Sequence, residues 1–261
     1  MIATHFHWDI LLGALMVLGA YGYLLARWRP TPQWFYPIES KQITVFTLGL
    51  AFIVATQATP FHDLSERSFS VHMVQHLVLT LAVPPLLLLG MPGWLLKPLV
   101  RHPIPLNIAR VLTHPVVAMG SFNATLAFWH IPVLYDLAVW DYNIHLLNHG
   151  MYLFTGILLW WPIFSPLPEL PRLNYPLQML YLFVQSLVPA VLASIITFAD
   201  DAIYVAYKTA QPIWDWSIVE DQQIGGLIMK VGGGAILWTL AIAIFFTWFT
   251  HEESEIEKSW D

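Results

Sequence analysis

The stretch Ser68-Phe-Ser70-Val-His72-Met73-Val-Gln75-His76-Leu-Val-Leu-Thr-Leu-Ala-Val-Pro84-Pro85-Leu-Leu-Leu-Leu-Gly90 decides how this chain is read. From Ser70 onward it is almost wholly apolar. About twenty residues of helix rise about 30 Å, the thickness of a bilayer's hydrocarbon core. The run therefore predicts a transmembrane helix with Ser70 as its N-cap. Pro84-Pro85 should kink or break it, which is tolerable where neighbours take up the freed carbonyls. His72 and His76 are four residues apart, so both imidazoles lie on one face, one turn above the other, with Gln75 on that face and Met73 to one side. A lone histidine here would more often just hydrogen-bond a neighbouring helix. A pair at membrane depth, where ionisable groups are costly, points to chelation of one metal ion.

The rest of the chain agrees with a membrane setting. Of its 261 residues, 57% are hydrophobic and 11% charged, against roughly 25% charged in soluble domains. There is no cysteine, which excludes disulfides, zinc–thiolate sites and cysteine nucleophiles together. The 11 histidines equal Lys plus Arg combined. A net charge of −6 spread over loops argues against nucleic acid as a partner. No P-loop, GxSxG nucleophile or Ser-His-Asp order is found, so the chain reads as a non-enzyme. Arg27 and Arg29 follow the first apolar run instead of preceding it, unlike a signal peptide.

Seven apolar spans are expected: Ile10–Ala26, Ile43–Ala58, Ser70–Leu89, Val111–Trp129, Leu147–Phe164, Leu177–Phe198 and Ile224–Phe249. They predict an all-α polytopic protein, a single seven-helix transmembrane domain over residues 1–261 in contact with membrane lipid. Arg27, Arg29, Lys41, Lys97, Arg101, Arg110, Arg172 and Lys258 fall on one side, against Arg67, Lys208 and Lys230 on the other. By the positive-inside rule the N-terminus is outside and the C-terminus cytoplasmic. His5, His7, His62, His72, His76, His130, His145 and His149 then gather towards the outer face, with His102, His114 and His251 towards the inner one.

A second pair, His145-Leu-Leu-Asn-His149, enters the fifth span at the same spacing. His130 ends the fourth, and Asp221 precedes Gly225-Gly226, small residues that let another helix approach closely. Asp221 reads equally as a helix cap or as a ligand, whereas Met73 and Met229 read first as packing. His72, His76 and His149 are the expected primary metal ligands, with His145, His130, Asp221 and Met73 completing or relaying. Paired imidazoles, a carboxylate and thioethers suit copper, held as Cu(I), with zinc the weaker choice. A haem-binding membrane redox protein, cytochrome b-like, is the alternative. Copper transport across the bilayer has only His114 and Met119 to offer in the inner half.

The run from Phe69 to His76, with Val83-Pro84-Pro85 through Gly90-Met-Pro92, resembles the CtaG family of cytochrome c oxidase assembly factors, Bacillus type. His114-Pro115, Trp129-His130-x-Pro132, His145-x-x-x-His149, Trp160-Trp161, Tyr204-x-x-Tyr207 and Asp221-Gln222-x-x-Gly225-Gly226 extend the resemblance from about Pro60 to Trp248. It implies a multi-pass protein of the bacterial plasma membrane that matures haem-copper oxidase by supplying copper to its catalytic subunit. The expected partners are that subunit and an upstream copper donor protein, with the metal site on the extracytoplasmic side. The acid usual before the second histidine of the fifth-span pair is here Asn148.

Overall fold

A computed structural model describes residues 6–27 and 38–258, the last five of these by backbone alone. Within that range every regular element is helical. His5 and Arg29 lie outside the described residues. The helices are α1 (Trp8–Arg27), α2 (Ser40–Gln57), α3 (Pro60–Ser65), α4 (Phe69–Gly90), α5 (Pro103–Leu112) and α6 (Pro115–Trp129). After them come α7 (Pro132–Trp140), α8 (Tyr142–Phe164), α9 (Tyr175–Thr197) and α10, which opens at Ile218–Leu227 and runs on through Gly233–Lys258.

Each expected span has a helix, but not all have the composition to cross a membrane unaided. Among the described residues α1, α4, α9 and α10 are long and apolar enough. The pair α5–α6, bent by 63°, makes a fifth. Although α2 and α8 are long, their polar ends dilute them: Ser40-Lys41-Gln42 in one, His145, Asn148 and His149 in the other. The expected single span Val111–Trp129 is divided at His114, whose extended backbone (φ −61°, ψ 131°) precedes Pro115. A residue before proline is pushed out of the helical region. Leu12, Met16, Val116, Val191, Ile195 and Phe246 stand exposed along the outer surfaces, as lipid-facing side chains do. This is an all-helical membrane protein.

The centre of the bundle is α4, which contacts α2, α3, α8 and α10. Its most apolar stretch is 56% buried, against 6% for that of α1. The helix begins one residue before Ser70: Ser68 is the cap, accepting from the Val71 N–H at 3.4 Å. Pro84-Pro85 do not break it. The turn Val78–Ala82 widens to a π-helix and the chain continues as helix to Gly90. Proline 84 supplies no N–H to the Thr80 carbonyl, and the Trp160 indole N–H donates there instead, at 2.8 Å. A second π turn, Ile228–Gly232, interrupts α10 beside α4. The small residue Gly225 permits that approach, since a Cβ there would lie 2.2 Å from the Phe69 ring; Gly226 does the same against α9, where a Cβ would lie 2.4 Å from Thr197 Oγ1.

Candidate metal centre

Two helix starts build the centre. Ser68 and Asp221 fix the first turn of α4, and Asp141 caps α8 by accepting from the Asn143 and Ile144 N–H groups. The i, i+4 spacing then projects His72 and His76 from one helix towards His145 and His149 from the other. His72, His76 and His149 bring one ring nitrogen each within 4.8 Å of one another, and all three are buried. The Nε2 atoms of His72 and His76 are 2.7 Å apart. An ion bound tetrahedrally at about 2.0–2.1 Å holds its nitrogens about 3.3 Å apart, between those two separations.

His145 extends the cluster, its ring centroid 4.1 Å from that of His149 and 5.9 Å from that of His72. Its Nδ1 faces the Ala138 carbonyl at 3.2 Å. That bond assigns the proton to Nδ1 and leaves Nε2 a bare lone pair. His130 repeats the pattern at the end of α6, with Nδ1 on the Leu126 carbonyl at 2.8 Å. His130 reaches the centre through Tyr152, whose hydroxyl is 3.3 Å from His130 Nδ1 and whose ring is 4.5 Å from that of His76.

The orphaned nitrogens test whether these residues suit a metal. Nδ1 of His76 and Nε2 of His130, His145 and His149 are buried without a hydrogen-bond partner. Each such group costs about 1–3 kcal/mol, so several in one place indicate a missing acceptor of lone pairs. Beside the three, His130 and His145 each hold one ring nitrogen on a carbonyl, the usual support for a metal-binding histidine. A cation coordinated by His72, His76 and His149 therefore fits.

Other expected participants do different jobs. Asp221 stands apart from the three-histidine group. Its carboxylate accepts from the Ser68 hydroxyl at 2.9 Å, the Phe69 N–H at 2.7 Å and the Ser70 hydroxyl. It caps α4, where an anion meets unsatisfied N–H groups and the positive end of the helix dipole. The partner of His72 Nδ1 is the Tyr207 hydroxyl at 3.3 Å. Met73 is fully buried in the apolar core with Phe69. It also lines a cavity with His76, His130, Tyr152 and Met229. Gln75 turns to α2, donating to the Thr56 carbonyl and Gln57 Oε1 at 2.7 and 3.0 Å.

The loop carrying Tyr204 and Tyr207 is anchored by Asp136, which accepts from the Val205 and Ala206 N–H groups. Gln222 accepts from the Ile203 N–H at 2.7 Å. Tyr207 also pairs with the Tyr135 hydroxyl at 2.8 Å. The Tyr204-x-x-Tyr207 motif is visible in the sequence, but nothing there places it opposite His72.

A buried cluster of imidazoles at the start of two facing helices marks an all-helical membrane protein with a candidate metal centre. Comparison with known families makes this particular. The chain belongs to the cytochrome c oxidase caa3 assembly factor family (Caa3_CtaG), whose model matches residues 19–251. Uncharacterized proteins of Mycobacterium bovis and Mycobacterium tuberculosis are each 26% identical to it over 247 residues, covering 86% of this chain and 36% of theirs. The chain thus spans about a third of the length of those relatives. No solved structure matches it.

Proposed function

We propose that this chain binds one Cu(I) ion on His72, His76 and His149 and delivers it to the catalytic subunit of a haem-copper oxidase. The observation that carries the reading is the convergence of three buried ring nitrogens within 4.8 Å. Among the described residues no carboxylate joins that group. The cost of burying an ion rises with the square of its charge, so a neutral pocket favours a monovalent soft ion over Zn²⁺. Ligands drawn from two helices suit transfer, since a small movement of α8 against α4 changes the coordination number. His145 and His130 flank the three and offer the ion an intermediate partner on either side. The role is binding and hand-over, with no bond-making chemistry.

In the proposed topology all seven long helices, α5–α6 counted as one, cross the plasma membrane as one unit. The N-terminus is outside, and α4 and α8 both start at the extracytoplasmic face. Copper arrives there from a donor protein. The haem reading is disfavoured by packing: the rings of His72, His76, His145 and His149 touch one another at centroid distances of 4.1–6.1 Å, leaving no slot for a macrocycle. Protein purified in detergent and loaded with Cu(I) is expected to retain about one equivalent, lost in His72→Ala/His76→Ala. Full retention in that double variant, or a stoichiometric Soret band in the purified protein, would overturn the proposal.

A further inference from the structure

A file of imidazoles leads from the surface to the buried centre. His7, just before α1, keeps a side chain 19% exposed. Its ring meets that of His62 on α3 edge-on at 4.6 Å. His62 meets His145 in the same way at 4.8 Å, and His145 meets His149 at 4.1 Å. The file is held in place at its mouth. Tyr142 stacks on His7 at 5.1 Å, the Tyr142 hydroxyl bonds Asp9, and the His7 backbone N–H donates to the Ala58 carbonyl. Beside the file lies a cavity of about 150 Å³, lined by His62, His145, His149 and Tyr142, room for several waters.

Charge is graded along it. Asp9 stands 3.9 Å from His7 Nδ1, and Glu66 3.5 Å from His62 Nε2. Further in, the hydrogen-bond partners are neutral: the Ala138 carbonyl for His145, and Tyr207 for His72. Two nitrogens share one ion when they are up to about 4 Å apart. Neighbouring rings along the file are in edge contact, at centroid distances of 4.1–4.8 Å. Among the described residues only the inner end gathers three. Pairwise contact followed by threefold convergence is the arrangement of a passage ending in a store.

We infer that His7 and His62 form the loading route of the buried centre, handing a monovalent soft metal ion from the carboxylate-lined mouth through His145 to His149. This rests on the Cu(I) reading of the centre. The step is ligand exchange: one imidazole nitrogen bonds the ion as the previous one releases it, with no change of oxidation state. Packing alone would explain the ring contacts; the cavity beside the file and the carboxylates at its mouth are what it leaves over.

Uptake of Cu(I) from a chromophoric chelator, followed by stopped-flow absorbance on the purified metal-free protein, tests the route. His7→Phe keeps a ring stacked on Tyr142 and removes the ligand at the mouth; His62→Leu removes the next. Both variants are expected to load several-fold more slowly than wild type. Each should still reach wild-type stoichiometry and affinity. Wild-type uptake rates in His7→Phe would overturn the route, as would loss of bound copper at equilibrium in that variant. Should His62→Leu melt early, His7→Phe decides alone. Failure of the underlying reading looks different: wild-type protein that takes up no copper, or His72→Ala/His76→Ala that still does, removes centre and route together.

Discussion

Replacing Asp221 with alanine separates a helix cap from a metal ligand. Its carboxylate holds three donors at the start of α4: two serine hydroxyls and the Phe69 N–H. Hydrogen bonds to a charged group contribute about 1.5–3 kcal/mol each, and an N-cap about 0.5–2. They do not add, because Asp221 is only half-buried and water replaces part of what is lost. A net loss of about 2–4 kcal/mol is expected for Asp221→Ala, and about half that for Asp221→Asn, which keeps one acceptor oxygen. The assay is paired: unfolding free energy from a denaturant titration in detergent, and bound copper by elemental analysis of the folded fraction. Both variants should be less stable, and both should keep about one copper per chain. Wild-type stability together with loss of copper would refute the capping assignment and return Asp221 to the ligand set.

Tyr207→Phe removes the hydroxyl facing His72 Nδ1, and Cu(I) affinity measured by chelator competition should fall about tenfold at unchanged stoichiometry; an unaltered affinity would deny Tyr207 any role in orienting that ring. The metal-free protein should also lose stability in acid. Burial holds His62 at about 4, against about 6.5 in an unfolded chain. Folded protein therefore binds fewer protons than unfolded protein between those values, so this contribution is intact above about pH 6.5 and is lost as pH falls through about 4. Unfolding free energies that stay flat across that window would refute the burial of a neutral imidazole at this position.

What the sequence made legible follows from local geometry. Spacing of i, i+4 needs only a helix to place two side chains on one face, so both histidine pairs were readable, as was the need for a neighbour near Pro84-Pro85. That Trp160 is this neighbour, 80 residues away, was not. Asp221 shows the limit clearly. A carboxylate next to a helix start reads as a cap for its own helix, yet Ser217 caps α10 and Asp221 caps α4, 152 residues earlier. His62 carried no local signal either, because α3 is a six-residue helix whose position depends on α2 and α4. The division at His114-Pro115 could have been read from the proline rule, but apolar character ran on through it.

The placement of Asp221 also bears on which ion the proposed centre would accept. Had its carboxylate joined the imidazoles, the site would carry a negative charge, and a divalent ion would be partly neutralised there. Held instead by Ser68, Phe69 and Ser70, it stabilises the helix start and leaves the centre uncharged. Position 148 works in the same direction. The residue is buried asparagine, with Oδ1 unpartnered, where the family resemblance leads one to expect an acid. An aspartate there would lie one residue from His149, on the helix that faces His72 and His76. Asn148→Asp would thus introduce a charge of the sign that favours Zn²⁺, without adding or removing a single imidazole. On the proposed Cu(I) reading, discrimination against Zn²⁺ would depend less on the ligand atoms, which both ions accept, than on holding the Asp221 carboxylate at the α4 start and keeping position 148 neutral.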